Sequence, residues 1–421
     1  MSSTSAGLDP VRGRVRSIGR AELVGMLAMA MAVGALGIDL MLPAFDAMRA
    51  DLGLAPGSNA IAGTVTAYFL GLAAGTLVYG PLADRFGRRP TLLASYAVYA
   101  VGALASALAP SLTVLLITRL IWGLGAAGSR VVVMAVVRDA YEGEEMSRAI
   151  SHLMAVFIVV PVFAPTVGAG IVAVASWRWV FGVCVVAVAL MAAWTLRLPE
   201  TLRSEHRIEA GPRQIARAAG IVASNRTTVA YTLAMSSLYA VFISYLGTAE
   251  NLFSRTFDQA ARFPLIFGGL AAVIGVAMLL NARIVRRVGS RRLSNVVLAA
   301  YLVMASVMVI VALITGGRPP LFAFLVGLAA MFGCHALLIP NMNSIALAPM
   351  AEVAGTASSL MGASQLGIGA VLAALLDRAY DGTVTPLSLG FLGYGVLASA
   401  LVLWARGAAR DAPLSPDPAL Q

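Results

Sequence analysis

The sequence contains no lysine and few charged residues of any kind. All 30 strongly basic side chains are arginine, charged residues make up 12% of the 421 residues, and hydrophobic residues make up 59%. A soluble domain carries roughly 25% charged residues. A soluble fold of this length leaves about a quarter of its surface in contact with water, and here much of that surface would be apolar. The composition therefore excludes an ordinary soluble protein and indicates an integral membrane protein.

Cysteine and recognisable cofactor motifs are also scarce. The two cysteines, Cys184 and Cys334, lie inside apolar runs, which predicts free thiols rather than a disulfide. We find no spacing of metal ligands, no catalytic constellation and no G-x-x-x-x-G-K-[ST] loop, so ATP coupling is not expected. The glycine pattern in 123–128 lies within an apolar run rather than after a strand. The sequence therefore predicts no enzyme, no metal site and no cofactor.

The net charge of +10 raises nucleic acid as a partner. The arginines, however, occupy short gaps between apolar runs and form no basic face with interleaved aromatic residues. This distribution indicates loops next to a membrane rather than a nucleic-acid interface.

The apolar residues are grouped in runs long enough to cross a bilayer. A helix of about 20 residues spans a hydrocarbon core of about 30 Å. The runs show no period-2 alternation of the kind that a barrel strand needs, and a helix pairs all of its own backbone groups in lipid. We therefore predict an all-α membrane protein with twelve spans, at 22–45, 59–81, 91–109, 112–137, 149–173, 177–197, 227–250, 263–284, 293–315, 320–341, 354–377 and 386–405.

A long polar connection divides the spans into six and six. The predicted organisation is an N-terminal tail (1–20), a six-helix bundle (21–197), a linker with an amphipathic segment (198–226), a second bundle (227–405) and a C-terminal tail (406–421). Arginine is concentrated in alternate connections, which places both tails and the linker on the cytoplasmic side of the membrane. The lysine-free, alanine-rich composition fits a bacterium with GC-rich DNA, so we expect a bacterial inner membrane. The 342–353 connection lacks arginine, so the placement of the last two spans rests on the helix count.

A short internal repeat relates the two halves. The segment 80–89 follows the second span and 282–291 follows the eighth; Gly87 aligns with Gly289, and Arg85 with Arg287. The same loop at the same place in two six-helix halves indicates parallel repeats about an axis normal to the membrane. That symmetry is typical of secondary transporters.

These segments carry a family resemblance. Residues 80–89 match the G-x-L-A-D-R-x-G-R-R pattern at every position, and the chain thereby resembles the major facilitator superfamily. The motifs Asp39-Leu40-Met41-Leu42-Pro43, Arg119-Leu120-Ile121-Trp122-Gly123, Arg138-Asp139, Pro340-Asn341 and Ala354–Ser359 resemble those of its bicyclomycin/chloramphenicol-resistance group of drug–proton antiporters. The resemblance implies two six-helix bundles around a central cavity, a monomer, and proton-coupled export of amphipathic compounds.

One motif departs from the family pattern. The superfamily's antiporter motif in the fifth span is G-P-x-x-G-G, whereas this chain has alanine at two of the glycine positions in 164–169. Pro161, Pro165, Gly168 and Gly170 still loosen the helix and allow close packing. The departure leaves transport better supported than antiport.

Two ionisable residues lie deep in spans that the resemblance places around the cavity. Asp39 is roughly 9 Å, and Arg119 roughly 10 Å, from the outer ends of the first and fourth spans at 1.5 Å per residue. Charge in the membrane is costly and marks function, and burial and a neighbouring arginine shift a carboxyl pKa in opposite directions. We predict that Asp39 couples transport to protons and that Arg119 modulates it; the alternative is a static pair that holds two helices in register.

The loop after the second span is predicted to be part of a gate. Gly80 and Gly87 permit a tight turn, and Asp84 is expected to pair with the opposite bundle when the transporter faces outward. The residues assigned to this gate are Gly80, Asp84, Arg85, Gly87, Arg88, Arg89, Arg138 and Asp139. The alternative is that these arginines only set the topology.

Aromatic, methionine and amide side chains are candidates for the cavity wall, although residues of these types are also common in helix cores. The predicted lining is Tyr68, Met134, Phe157, Tyr231, Tyr239, Phe242, Tyr245, Asn341, Asn343 and Gln365. His335 is predicted to be packed rather than chemical, and Glu250 and Asn251 to be interfacial.

The sequence thus predicts a proton-coupled exporter of amphipathic, drug-like compounds. Two alternatives stay open. One is an exporter of a specific metabolite such as an amino-acid derivative; the other is a membrane receptor or scaffold, against which the intramembrane charges argue.

Overall fold

The protein is described by a computed structural model that covers residues 18–202 and 212–411, without the side chains of 147, 212–215 and 407–411. Long helices dominate the described residues. They are α1 (Arg20–Asp39), α2 (Gly63–Phe86), α3 (Arg88–Ala107), α4 (Leu112–Ala140), α5 (Gly143–Val174), α6 (Arg178–Thr195), α7 (Arg226–Asn251), α8 (Phe263–Val288), α9 (Ser290–Ile314), α10 (Leu321–Leu347), α11 (Ala354–Arg378) and α12 (Thr385–Asp411).

All twelve predicted spans correspond to these helices, which confirms the predicted all-α membrane fold. The helices α10 and α11 form one continuous helical stretch of 58 residues, Leu321–Arg378, because a 3₁₀ segment, Ala348–Val353, joins them. Short helices, Phe45–Asp51 and Pro212–Ser224, lie in the α1–α2 connection and in the linker. The predictions for 1–17, for 203–211 in the linker and for 412–421 lie outside the described residues.

Glycines with positive φ end corresponding helices in the two halves. Gly87 lies between α2 and α3 with φ 106°, and Gly289 lies between α8 and α9 with φ 78°. Only glycine adopts this backbone region at little cost. The repeat seen in the sequence is therefore a repeat of backbone conformation, although the ionic residues of the first copy are not preserved in the second.

The outer surface is apolar, as a protein in lipid requires. Large hydrophobic side chains on α3, α6, α9 and α12 are exposed; they include Val101, Leu104, Val186, Leu190, Val303, Ile310, Leu403 and Trp404. The buried positions are concentrated on α1, α2, α4 and α7. The chain is therefore a multi-pass membrane protein.

The helices pack in two groups. Helices α1–α6 contact mainly one another, as do α7–α12, and the groups meet chiefly where α2 packs against α11 and α5 against α8. At the second contact a Cβ on Gly268 would lie 2.6 Å from the carbonyl oxygen of Val162, and one on Gly275 would lie 2.5 Å from Ile158. These glycines allow close approach of the two groups, Gly268 to a backbone carbonyl and Gly275 to a side chain.

The two ends of the helices carry different connections, and each end is named after a residue that lies there. The Gly87 side holds the α2–α3 and α8–α9 connections. The Glu250 side holds the α1–α2 connection and the connection between α7 and α8, which starts at Leu252.

Candidate functional site

A central cavity of about 330 Å³ lies between the two groups of helices. Its wall comes from α1, α2, α4 and α5 on one side and from α7, α8, α10 and α11 on the other. Most lining side chains are apolar or aromatic, and the charged side chains in the lining are Asp39 and Arg130. A concave, mostly apolar site with a few polar groups is the usual form of a binding site for a small molecule.

Asp39 lies at a break in α1. Pro43, four residues later, has no N–H to donate to the Asp39 carbonyl, so the α-helical ladder ends at Asp39 and the chain continues through the 3₁₀ segment Leu42–Ala44. The side chain of Asp39 is buried in the cavity wall. Among the described residues it has no ion-pair partner. The D-x-x-x-P spacing therefore positions an unpaired carboxyl group where the helix ends.

Arg119 does not pair with Asp39 in this structure. Its Nη1 donates to the Gly37 carbonyl of α1 at 2.7 Å and its Nε to the Thr64 carbonyl of α2 at 3.3 Å. The guanidinium lies over the rings of Tyr68 (4.4 Å) and Trp122 (4.7 Å) and is fully buried. Arg119 and Asp39 lie at a similar depth, as expected, since Arg119 binds Gly37, two residues before Asp39. The arginine binds the backbone of α1, however, rather than the carboxylate of Asp39.

Arg130 is a cavity residue that the sequence reasoning missed. It lies on α4, eleven residues after Arg119, and its side chain is exposed to the cavity. Eleven residues are about three helical turns, so both arginines lie on nearly the same face of α4. The signal was available, because Arg130 falls inside the predicted span 112–137.

The cavity wall in this structure contains some of the residues predicted to line it and not others. Phe157, Tyr239, Phe242 and Tyr245 line the cavity, as do Pro161 and His335. Six other candidates, Tyr68, Met134, Tyr231, Asn341, Asn343 and Gln365, do not.

Packing explains two of these exclusions. The Tyr68 hydroxyl donates to the Gly34 carbonyl at 2.8 Å and its ring covers Arg119. The Asn341 amide donates to Asn281 at 2.7 Å. Both side chains are therefore engaged in contacts between helices.

His335 is part of an aromatic cluster in the cavity wall. Its ring is stacked on Phe242 with centroids 5.4 Å apart and an interplanar angle of 20°, and its centroid is 5.6 Å from that of Tyr239. The histidine is therefore packed against aromatic rings, as expected.

Polar contacts join the two groups of helices on the Glu250 side. Arg49 Nη2 and Glu250 Oε2 are 2.7 Å apart and both side chains are buried. Arg255 donates to Asp46 at 2.9 Å, and Asn59 donates to the Asp377 carbonyl at 2.8 Å. Glu250 is therefore not merely interfacial: it belongs to a network that joins the two groups of helices on this side.

The Asp377 carboxylate lies next to this network. It accepts a hydrogen bond from Ser244 Oγ at 2.5 Å within the α7–α12 group. Asp377 is the last residue of a predicted span, and the sequence reasoning did not single it out.

On the Gly87 side, the predicted gate residues form an ion cluster within the α1–α6 group. Arg88 bridges Asp84 (2.6 Å) and Asp139 (2.9 Å). The Glu200 carboxylate accepts hydrogen bonds from the backbone N–H groups of Arg88 at 2.8 Å and Arg89 at 3.2 Å. These bonds pair two N–H groups at the start of α3 that have no partner within the helix. A Cβ on Gly87 would lie 2.4 Å from Glu200 Oε2, so glycine is needed for this contact.

The remaining predicted gate residues lie outside the ion cluster in this conformation. Arg85 lies beside the ring of Phe86, and the exposed Arg138 is not part of the cluster. Asp139 is the neighbour that shares Arg88 with Asp84. Gly80 faces α11, since a Cβ there would lie 3.6 Å from Ser359 Oγ.

In the fifth helix, Gly168 packs against the break in α1. A Cβ on Gly168 would lie 2.1 Å from the carbonyl oxygen of Leu40, whereas a Cβ on Gly170 would meet open space. Pro161 and Pro165 both lie inside α5. Two separate sequence motifs thus meet one residue from Asp39.

Comparisons with known proteins agree with this architecture. The family model of the Major Facilitator Superfamily matches residues 27–374. A bicyclomycin resistance protein homolog of Haemophilus influenzae is 27% identical over 370 residues, which cover 87% of this chain and 92% of the relative. A chloramphenicol resistance protein of Pseudomonas aeruginosa is 30% identical over 402 residues, with 89% and 90% covered. The crystal structure of a D-xylose–proton symporter superimposes with a TM-score of 0.71 at 13% identity, covers 92% of this chain and 96% of its own, and shows a shared fold.

The helical fold around a central cavity, together with the family match and the named relatives, identifies a multi-pass membrane transporter rather than an enzyme. The chain belongs to the major facilitator superfamily. The resistance proteins among its relatives confirm the predicted resemblance to the bicyclomycin/chloramphenicol-resistance group.

Proposed function

We propose that this protein is a proton-coupled antiporter that exports amphipathic, drug-like compounds by alternating access. The observation that carries the proposal is Asp39, a buried carboxyl group that has no ion-pair partner among the described residues and lies in the wall of a mostly apolar and aromatic cavity. A carboxyl group in such a site is neutral when protonated and costly when charged. Binding and release of a proton by Asp39 therefore change the relative free energies of the empty cavity and the substrate-loaded cavity.

Substrate and proton use the same cavity in this mechanism. With the Glu250 side closed by Arg49 and Glu250, substrate enters from the Gly87 side and Asp39 releases its proton to that side. The two groups of helices then rock about the α2–α11 and α5–α8 contacts. On the other side, substrate leaves and Asp39 takes up a proton.

Arg119 has a positioning role in this proposal. Its bond to the Gly37 carbonyl holds α1 at the level of the cavity, two residues before Asp39. The ion cluster of Asp84, Arg88 and Asp139 forms the gate on the Gly87 side. In the outward-facing state Asp84 exchanges Arg88 for a partner in the α7–α12 group.

The arrangement in the membrane is part of the proposal. The Gly87 side faces the cytoplasm of a bacterial cell and both termini lie there, because arginine is concentrated in the connections on that side. The bundles comprise 21–197 and 227–405, with a cytoplasmic linker at 198–226 and tails at 1–20 and 406–421. The protein acts as a monomer, and the proton gradient, rather than a cofactor, supplies the energy.

The test uses inverted membrane vesicles with an acidified interior and a pH-sensitive dye. A panel of amphipathic drugs is added to vesicles that contain the wild type, Asp39→Asn or the control Asp258→Asn. Asp258 is exposed and has φ 53°, a conformation that asparagine tolerates. We expect substrates to dissipate the gradient in the wild type and the control but not in Asp39→Asn.

Two outcomes contradict the proposal in different ways. Full proton release by Asp39→Asn, at equal protein level, removes Asp39 from the coupling mechanism. No response of the wild type to any compound favours export of a specific metabolite, or transport that does not use protons.

A further inference from the structure

The cavity contains a cation that proton coupling does not require. Arg130 projects from α4 into the cavity, and within the described part of the chain it has no ion pair or hydrogen bond. The carboxylate in the cavity lining is Asp39. A charged group at membrane depth without a partner is expensive and indicates a role in binding.

Asp39 is too far along the helices to neutralise Arg130. Arg119 binds the Gly37 carbonyl at 2.7 Å, which places Asp39 near the level of Arg119. Arg130 is eleven residues further along α4, roughly 16 Å at 1.5 Å per residue, toward the Gly87 side. This separation is far beyond the distance of about 4 Å at which an ion pair forms, so Asp39 does not pair with Arg130.

An aromatic surface lines the same cavity as the two charges. Tyr239, Phe242 and His335 pack as a cluster in the cavity wall, with Phe242 and His335 stacked. Tyr239 lines the same cavity as Arg130 and Asp39. A flat aromatic body can stack on these rings while a polar group at its end reaches Arg130.

We propose that the substrates of this cavity are flat, amphipathic molecules with one carboxylate, and that Arg130 binds that carboxylate. A guanidinium group offers parallel N–H donors that match both carboxylate oxygens. The inference rests on the proposed function in one respect: the cavity is the substrate site. It goes further by assigning the substrate's charge, since Arg130 is the cation in the cavity lining and lies beyond ion-pair distance of Asp39.

The experiment measures binding rather than transport, with the full chain in lipid nanodiscs. Isothermal titration at pH 7.5 uses three probes with the same ring system: 1-naphthylacetate, 1-naphthylacetamide and 1-naphthylethylammonium. The variants are Arg130→Gln, Arg130→Lys and, as a control, Arg292→Gln at an exposed arginine in α9. We expect the wild type to bind the carboxylate about tenfold or more tightly than the carboxamide, the size of one charged hydrogen bond.

Arg130→Gln is expected to abolish this preference while it leaves carboxamide binding unchanged. Arg130→Lys should keep a smaller preference, because the ammonium group retains the charge but not the parallel N–H donors, and Arg292→Gln should keep all of it. Equal binding of carboxylate and carboxamide by the wild type, tighter binding of the ammonium probe, or a preference that survives in Arg130→Gln would each overturn the inference while leaving an amphipath transporter intact. Failure of all three probes to bind would instead count against the proposed substrate cavity itself.

Discussion

Two arginines on one face of α4 have opposite environments. Arg119 is enclosed by the rings of Tyr68 and Trp122 and by backbone carbonyls of α1 and α2, whereas Arg130 faces the cavity. Neither has a carboxylate partner in the described structure. The first is therefore held by aromatic faces and carbonyl dipoles, and the second is available to a ligand.

The environment of Arg119 predicts a large effect on stability. Arg119→Ala removes two charge-assisted hydrogen bonds and the contacts with both rings, so we expect a loss of roughly 2–4 kcal/mol. Arg119→Lys should lose nearly as much, because one ammonium group cannot reproduce the fork that reaches Gly37 and Thr64. Thermal unfolding of the purified protein, followed by the loss of the monodisperse peak, measures this effect, with Arg292→Ala as the exposed control.

A stable Arg119→Lys variant that fails only in proton coupling would contradict this positioning role. It would restore the prediction from the sequence, in which Arg119 acts directly on the titration of Asp39.

Among the helices, the contact between α1 and α5 brings two motifs to one place. Pro43 ends α1 at Asp39, and Gly168 allows α5 to approach the carbonyl of Leu40 at that break. The alanines at two glycine positions of the fifth-helix motif leave this glycine in place. Gly168 is therefore the position of that motif at which backbone proximity is required.

A matched pair of substitutions in α5 tests this contact. Gly168→Ala places a Cβ 2.1 Å from the Leu40 carbonyl oxygen, so α5 must move away from the end of α1 and disturb Asp39. The Cβ of Gly170→Ala meets open space, so this substitution should leave transport unchanged. We expect the substrate-dependent pH response in inverted vesicles to fall severalfold or more for Gly168→Ala and to stay at the wild-type level for Gly170→Ala.

Equal activity of the two variants, at equal protein level in the membrane, would show that the approach of α5 to Leu40 does not matter for transport.

The same helices show what the sequence could and could not predict. Hydropathy found every long helix, because lipid selects apolar runs of fixed length, and the repeat and motifs found Asp39 and the Gly87 turn. Hydropathy also placed the first span at 22–45, past the actual end of α1 at Asp39. The chain stays apolar through Leu42 and Ala44, so only Pro43 marks the change from α-helix to 3₁₀ geometry.

Contacts between distant segments were not predictable in this way. Tyr68 was expected in the cavity and instead covers Arg119, because the side of α2 that faces the cavity depends on how α2 packs against α4. Gly71 and Gly123 set that packing: each would place a Cβ 2.0 Å from a carbonyl oxygen of the other helix. A single sequence shows that such glycines exist but not which helix they face.

For the whole molecule, the structure is asymmetric across the membrane. Ion pairs and hydrogen bonds join the two groups of helices on the Glu250 side, while the ionic cluster on the Gly87 side connects residues of the α1–α6 group. Arg49 and Glu250 are 201 residues apart in the chain. Their pairing follows only from the assembly of the two halves, which is why the sequence left Glu250 as an interfacial residue.

This asymmetry predicts that Glu250 stabilises the state in which the cavity is closed on the Glu250 side. Glu250→Gln removes the buried charge pair, while Arg49 keeps Asp46 at 2.6 Å and the Ser58 carbonyl at 3.0 Å within its own half. The change therefore weakens the contact between halves without leaving Arg49 unpaired. A buried charged hydrogen bond contributes about 1.5–3 kcal/mol, so the population open on this side should rise about tenfold or more.

Electron–electron distance measurements test this population shift. Spin labels at Ala55 and Ala261, exposed residues on the Glu250 side, are introduced after Cys184 and Cys334 are replaced by alanine. Glu250→Gln should add a longer distance to the distribution, and Asp381→Asn, at an exposed carboxylate in the α11–α12 connection, should not. If Glu250→Gln gives the parental distribution, the backbone packing of α2 on α11 and α5 on α8 is sufficient to hold this side closed, and the Arg49–Glu250 pair has no part in the conformational equilibrium.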